Sequence, residues 1–367
     1  MDETHIAFMQ RALDLARRAK GRTSPNPLVG AVIVKDGKVI GEGYHRKAGT
    51  PHAEVHALNA AGADAKGATL YVNLEPCCHW GRTPPCTEAL IRAGVVQVYI
   101  ADVDPNPRVA GKGVQQLQDA GIDVHVGICR QDASDLNEVH RKYIQTGKPF
   151  VILKTAMSLD GKIATTSGES QWITSEASRQ RGHEVRDAVD AILVGRGTVT
   201  RDNPALTTRL RNRDGQDATR IVLDSHGRTP PEARIFNTES ESGVIVAVTP
   251  GAPSENVDAL EKAGAAVITV PAAHGDRVCF RSLMEILGKR EITSVLIEGG
   301  SEVNASALAA GIVDKVMCFI APKLIGGQDA PGPIGGVGIR NLTDAAHLRR
   351  VSVTPIAEHD FLIEGYL

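Results

Sequence analysis

Short runs rich in β-branched residues alternate with amphipathic helical segments along nearly the whole chain, and the alternation is interrupted once, at Thr146-Gly147-Lys148-Pro149. This order limits the fold more than any single residue does. Strands separated by helices cannot all pair as hairpins, so they assemble into layered α/β sheets with helices on the faces. Before the interruption, Ile6, Ala7, Met9, Ala12, Leu13 and Ala16 fall at helical spacing and predict an amphipathic first helix. A loop over 23–27 follows, then a hairpin of residues 31–34 and 38–44 around Lys35-Asp36-Gly37. Helices over 52–61, 87–93 and 114–120 then interleave with strands over 69–74, 95–101 and 124–128, and a closing helix is expected over 133–145. After the interruption come seven strand-like runs, FVILKTAM, AILVG, RIVLD, VIVAV, AVITV, SVLIEGG and KVMCFIAP, with helical patterns near 176–185, 256–263, 281–287 and 303–310. The breaker residues mark a boundary, giving domains 1–146 and 147–367.

Length agrees, because 367 residues exceed what one core usually serves. Residues 1–146 carry a net charge of +1 and the remainder −3, so neither half is a basic domain built for nucleic acid. Aromatic residues make up 4%, too few for a base-stacking surface. No run approaches the 18 or so apolar residues that span a bilayer, and the charged first 20 residues do not read as a signal peptide. Three of the six cysteines lie between 77 and 86, which suggests metal binding in a reducing, cytoplasmic setting. Cys129, Cys279 and Cys318 lie in or beside apolar runs and are expected to be buried small hydrophobes.

The chemistry concentrates in Pro51-His52-Ala53-Glu54 and in the run from Pro76 to Cys86. One imidazole, two spaced thiols and an open fourth position suit a catalytic zinc. His52 and His56 are four residues apart, but Glu54 has the wrong offset for the metalloprotease pattern His-Glu-x-x-His. The conflict eases if His52 sits at the helix start, after Pro51, leaving His56 without ligand duty. Cys86 precedes a helix, where free N–H groups stabilise a thiolate. Cys78 competes with Cys77 on spacing. The proline before the first thiol, as in zinc deaminases of nucleobases, favours Cys77. Zinc lowers the pKa of its water toward 7, giving a hydroxide nucleophile, and Glu54 can carry a proton from water to a leaving amine. That chemistry is hydrolytic deamination of an amidine-like ring carbon. Two other readings stay open on these residues: a zinc deaminase of free nucleotides or nucleic acid, and a structural zinc module needing a fourth ligand such as Cys78 or His79.

With Thr23-Ser24-Pro25-Asn26-Pro27-Leu28-Val29-Gly30, these runs resemble the bifunctional riboflavin-biosynthesis deaminase–reductase family. The resemblance continues through Lys154-Thr155-Ala156-Met157-Ser158-Leu159-Asp160-Gly161-Lys162-Ile163, Gly195-Arg196-Gly197-Thr198, Asp202-Asn203-Pro204-Ala205-Leu206 and Glu298-Gly299-Gly300. It covers nearly the whole chain and departs from the family at no ligand position. It implies a cytidine-deaminase-like three-layer α/β/α domain followed by a dihydrofolate-reductase-like α/β domain. It also implies one zinc ion on His52, Cys77 and Cys86, with Glu54 catalytic, and NADPH in the second domain. The small-molecule substrate would be a diamino-hydroxy-pyrimidine with a phosphoribosylamino arm, deaminated and then reduced from ribosyl to ribityl. Asn26, His45, Arg82, Asp104 and Asn106 are the implied contacts to that substrate in the first domain, and capping or loop roles are the ordinary alternative for each.

In the second domain, Gly299-Gly300-Ser301-Glu302-Val303 follows a strand and opens a helix, a place where backbone can approach a pyrophosphate. The G-x-G-x-x-G fingerprint is absent, which argues against a Rossmann domain. The resemblance assigns NADPH to Ala156, Trp172, Thr198, Asp202, Ser225 and the run Gly299, Gly300, Ser301, Glu302, Val303. It assigns the substrate to Lys154, Ser170, Arg186, Leu206, Arg209 and Glu298. Arg186 and Arg209 suit a phosphate through their planar donor forks, with a surface salt bridge as the alternative. Lys154, a charge within an apolar strand, or Asp202 would supply the proton for the hydride step. A homo-oligomer is expected, with neither nucleic acid nor membrane as partner.

Overall fold

A computed structural model describes residues 3–81, 84–107, 109–273, 275–357 and 359–367. The chain divides into two compact units, Met1–Lys148 and Pro149–Leu367.

The first unit runs α1 (Glu3–Arg17), β1 (Gly30–Lys35), β2 (Lys38–Tyr44), α2 (Ala53–Ala61), β3 (Thr69–Leu74), α3 (Cys86–Ala93), β4 (Gln97–Asp102), α4 (Lys112–Asp119), β5 (Asp123–Val126), α5 (Arg130–Leu136) and α6 (Glu138–Thr146). Its five strands form one sheet in the order β2-β1-β3-β4-β5. β1 is antiparallel to β2 and β3, while β3, β4 and β5 are parallel. Side chains alternate across β1 with the period of two that a strand imposes. Ala31 and Ile33 join Ala57, Leu90 and Leu117 on one face. Val32 and Val34 join Met9 and Leu13 on the other. Both faces are covered, which explains the near-continuous apolar strands. The result is the expected three-layer α/β/α sandwich.

Two glycines place the segments that carry the chemistry. A Cβ on Gly43 would lie 2.5 Å from the Ala53 carbonyl oxygen and 2.7 Å from the Ala57 nitrogen, so α2 rests against bare β2 backbone. A Cβ on Gly113 would lie 2.3 Å from the Pro76 carbonyl oxygen, so the start of α4 presses on the loop before Cys77. The closing segment differs from expectation: it is two helices, broken at Asn137 (φ −104°, ψ 23°). The Asn137 side chain accepts from the Leu28 N–H at 2.8 Å and donates to the Leu28 carbonyl at 3.0 Å. An amide that pairs with a neighbouring backbone as a strand would competes with helix continuation.

The second unit runs β6 (Phe150–Ser158), α7 (Glu176–Arg186), β7 (Ala191–Gly195), α8 (Arg196–Asp202), β8 (Thr219–Leu223), β9 (Val244–Val248), α9 (Ser254–Lys262), β10 (Ala265–Thr269), β11 (Ala272–Ala273), β12 (Arg277–Val278), α10 (Phe280–Lys289), β13 (Ser294–Ile297), α11 (Ser301–Ala309), β14 (Lys315–Ala321), β15 (Arg349–Ile356) and β16 (Asp360–Tyr366). The main sheet has the order β10-β9-β8-β7-β13-β6-β14-β16-β15. The first seven are parallel, and they are the seven strands expected from sequence. β16 and β15 add antiparallel at one edge and were not foreseen, nor was the short α8. β15 is exposed along nearly its whole length, so its RRVSVTPI pattern carries no burial signal. The core centres on Val151, Leu153, Leu193, Ile221, Val295 and Ile297 packed under Leu283 and Leu287 of α10. In such a sheet, ligands gather beyond the carboxyl ends of the parallel strands.

Candidate functional site

In the first unit, His52 caps α2 in an extended conformation (φ −74°, ψ 167°), as its position after Pro51 suggested. Cys77 follows β3 through Glu75 and Pro76, and Cys86 is the first residue of α3. The His52 Nδ1 lies 3.3 Å from the Cys86 Sγ and 3.5 Å from the Cys77 Sγ. A tetrahedral zinc with Zn–N near 2.0 Å and Zn–S near 2.3 Å needs N···S spacings of about 3.5 Å, so the donor set fits the ion. Among the described residues these three form the one such group, and His56, Cys78 and His79 stand outside it. The Cys86 N–H also points at the Cys77 sulfur, at 3.4 Å. The Cys77 thiol is pulled down to about 4, first by its hydrogen bond with the Cys86 thiol and then by His52.

Glu54 is buried in the first turn of α2, and its Oε2 has no hydrogen-bond partner among the described residues. Burial pushes its carboxyl up to about 6 against the pull of His52. Asn26 and His45 lie beside the group. The Asn26 Nδ2 is 3.0 Å from the His45 Nε2, and the His45 ring meets the His52 ring edge-on at 5.3 Å. With His45 Nδ1 donating to the Pro51 carbonyl at 3.2 Å, its Nε2 accepts from Asn26. Burial lowers the His45 pKa, which favours this neutral form. Asp104 accepts from the Asn106 N–H at 2.9 Å, the capping role that the sequence left open. Arg82 lies outside the described residues.

Sequence reasoning missed the supports of this site. Buried Glu75 accepts from the N–H groups of Asp104, Gly111 and Val114, tying the Cys77 loop to the segment after β4. Asn73 accepts from the Gly30 N–H and donates to the Leu28 carbonyl. Both stand in the run Tyr71-Val72-Asn73-Leu74-Glu75, where polar residues in an apolar strand were the available signal.

In the second unit, Arg186 ends α7 and grips Glu298 bidentately, Nε to Oε1 at 3.0 Å and Nη2 to Oε2 at 2.5 Å. Its remaining donor reaches the Thr207 carbonyl at 3.0 Å. Arg186 is thus paired with Glu298 in a buried ion pair, not the surface salt bridge named as the alternative. Burial would raise the Glu298 pKa, but Arg186 and Lys154 outweigh it and hold the carboxyl at about 2. Lys154, in β6, places its Nζ 5.6 Å from the centre of the Phe319 ring. Arg209 donates from its side chain to Thr207 at 2.9 Å and from its backbone to His183 at 3.3 Å. Burial, Arg186 and Arg209 push His183 down to about 4, so this histidine, unmarked in the sequence reading, is neutral at pH 7. Leu206 is buried beside them with φ +52°.

Three of the residues assigned to the cofactor, Ser225, Glu302 and Val303, share one cavity. Gly195, Ser225, Glu302 and Val303 line a cavity of about 360 Å³ beyond the ends of β7 and β8. The Thr198 hydroxyl abuts Gly299, where a Cβ would sit 2.9 Å from it. Gly300 has φ +69°, and the Ser301 carbonyl accepts from Gly335. Ala156 is on β6, Asp202 ends α8, and Ser170 lies in the loop before α7. Trp172 is 61% exposed, with the Arg179 guanidinium 4.5 Å from its ring centre, so it offers an open face. Cys129, Cys279 and Cys318 are partly exposed, not buried as expected.

Residues 2–102 match the cytidine and deoxycytidylate deaminase zinc-binding region, and residues 149–359 match the RibD C-terminal domain. Fold and site together therefore define a two-unit enzyme, a zinc-binding deaminase joined to a reductase. The chain is 45% identical to riboflavin biosynthesis protein RibD of Actinobacillus pleuropneumoniae, covering 98% of this chain and 95% of that one. It is 44% identical to RibD of Escherichia coli K12 over 93% and 94% of the two chains. The structure of Acinetobacter baumannii RibD, form 1, superposes with a TM-score of 0.87 at 40% identity, covering 100% and 99%. A diaminohydroxyphosphoribosylaminopyrimidine deaminase/5-amino-6-(5-phosphoribosylamino)uracil reductase from Thermotoga maritima gives 0.85 at 37%, covering 99% of each. The chain belongs to the RibD family of riboflavin biosynthesis proteins.

Proposed function

We propose that residues 1–146 deaminate 2,5-diamino-6-ribosylamino-4(3H)-pyrimidinone 5′-phosphate, and that residues 147–367 reduce the product with NADPH to 5-amino-6-ribitylaminouracil 5′-phosphate. The observation that carries this reading is the donor set of His52, Cys77 and Cys86 beside a buried carboxylate oxygen with no partner. Zinc held there supplies a Lewis acid that makes water nucleophilic near neutral pH. Glu54 takes the proton of the attacking water and delivers it to the departing ring amine, which leaves as ammonia. Its low-dielectric surroundings favour a carboxyl that can hold a proton part of the time. Asn26 and His45 orient the ring, with Asp104 and Asn106 shaping the rim. Arg82 completes the set by family resemblance.

When bound in the second unit, NADPH would supply the hydride for reduction of the sugar, and a protein acid would supply the proton. Lys154 is the better supported donor, because its charge acts on both the Glu298 carboxylate and the neutral His183. Asp202 is the second candidate. Arg209 suits the substrate phosphate, while Arg186 fixes Glu298 as an anion toward the sugar. Ser170 and Leu206 complete that pocket. Ala156, Trp172, Thr198, Asp202, Ser225 and the run from Gly299 through Ser301 and Glu302 to Val303 hold the dinucleotide.

No helix among the described residues is long and apolar enough to cross a membrane. The six free thiols suit a reducing cytoplasm. We also propose a homo-oligomer joined through the β15 edge, where Val351 and Val353 are exposed beside Phe361. The test of the main reading supplies the diaminopyrimidine ribotide with and without NADPH and follows mass. Amine-to-oxygen exchange without NADPH, and gain of two hydrogens only with it, is the expected result. An unchanged ribotide in the presence of zinc overturns the reading.

A further inference from the structure

The cavity beyond β7 and β8 carries an arrangement that goes past the reading above and rests on it. Two arginines and a histidine line this cavity: Arg196 from the start of α8, His226 from the loop after β8, and Arg277 from β12. Each has an acid nearby, yet none reaches it at hydrogen-bond distance. Arg196 is 3.9 Å from Asp224, Arg277 is 3.6 Å from Glu302, and His226 is 3.6 Å from Asp276. Nitrogen–oxygen hydrogen bonds lie at about 2.7–3.2 Å, so these are loose pairs.

Two of the acids use their other oxygen elsewhere. Asp224 is buried, and its Oδ2 accepts from both the N–H and the hydroxyl of Thr229. The Glu302 Oε1 accepts from the Gly336 N–H at 3.0 Å. The arginine side chains are open to solvent, 44% exposed at Arg196 and 64% at Arg277. A hydrogen bond from the Val278 N–H to the Ser225 hydroxyl, at 3.3 Å, holds Arg277 against the end of β8. Ser225 is thereby flanked by two guanidiniums whose donor forks are only partly used.

An acid near the adenosine ribose selects a free 2′-hydroxyl, whereas an arginine accommodates a 2′-phosphate. Here Asp224 is buried with one oxygen held by Thr229, while Arg196 and Arg277 line the same cavity with exposed side chains. We propose that Arg196 and Arg277 clasp the 2′-phosphate of NADPH across Ser225 and set the preference for NADPH over NADH. A guanidinium fork matches two phosphate oxygens at once, and two forks in one cavity match the dianion. NADH lacks the group and gains nothing from either residue.

The test is binding, not turnover. Full-length protein is titrated with NADPH, NADH and 2′,5′-ADP, read by calorimetry and by the fluorescence of the reduced nicotinamide. Arg196→Gln and Arg277→Gln should each weaken NADPH and 2′,5′-ADP by roughly tenfold to a hundredfold while leaving NADH unchanged. The double variant should bind NADPH and NADH nearly equally, and Arg277→Lys should keep part of the preference. Denaturant unfolding of each variant checks that the fold persists. A double variant that keeps the wild-type ratio of NADPH to NADH affinity overturns the inference and leaves the proposed function standing. So does equal weakening of both dinucleotides, which places the arginines on a shared part of the ligand. Failure of the wild-type protein to bind NADPH at all overturns the reductase reading instead, and the inference with it.

Discussion

Glu54 and Glu298 are both buried carboxylates at the heart of a site, yet their surroundings drive them in opposite directions. Glu54 has an oxygen without a hydrogen-bond partner among the described residues and sits at about 6. Glu298 is clasped by Arg186, faces Lys154, and sits at about 2. Burial disfavours the charged form of both, and a cation at contact distance reverses that in only one. Two carboxylates pushed apart by environment mark two roles. The first can exchange a proton during the reaction. The second is a fixed charge, held by Arg186.

The contrast can be broken at several points. The largest effect is expected from Glu54→Gln, which should cut deamination by about 10²–10⁴-fold and leave zinc content intact. Metal analysis and ammonia release check this, and undiminished turnover removes Glu54 from its role. NADPH-dependent reduction of pre-deaminated substrate should be unaffected in the same variant. Next comes Arg186→Ala, which strands Glu298 as a buried anion and should cost about 3–5 kcal/mol in denaturant unfolding of the second unit. A loss well below that range means Glu298 finds its compensation elsewhere.

A smaller, graded effect is expected from pH. Glu298 falls from 4.5 to about 2 on folding, and His183 falls from 6.5 to about 4. Both shifts are depressions, so the stability they contribute is complete above the unfolded values and lost as pH falls through the folded ones. Unfolding midpoints of the second unit should therefore decline from pH 6.5 to 4 through His183, and further from 4.5 to 2 through Glu298. His183→Gln should flatten the upper part of that decline alone. The smallest effect is the stability of Glu54→Gln, whose unfolding midpoint should not fall, because an amide costs less to bury there than a charge. A clear loss of stability means the Glu54 carboxylate is held by a partner.

The zinc donors were legible because their chemistry and their spacing coincide. His52 after a proline, Cys77 after a strand and Cys86 before a helix each occupy an element end that the sequence itself announces. The seven parallel strands were legible for a related reason: burial on both faces leaves an unbroken apolar run. Contacts between distant segments were not. Asn137 breaks a helix because Leu28, more than a hundred residues earlier, offers a peptide to pair with. The pairing of Arg186 with Glu298 was hidden in the same way, because the two stand 112 residues apart in sequence. The β15–β16 hairpin escaped notice because an edge strand exposed on both sides has no periodicity to betray it.

The rest of α2 on the Gly43 backbone has a mechanical consequence. His52 is delivered by a helix stopped at Gly43 by its own main chain and by the His56 Cβ, neither of which can swing aside. One methyl group added at Gly43 would act as a shim, tilting the helix and carrying the imidazole away from both sulfurs. Metal retention in this protein is therefore calibrated by a residue that never touches the ion, and variants with a tunable grip on zinc are accessible without altering any ligand.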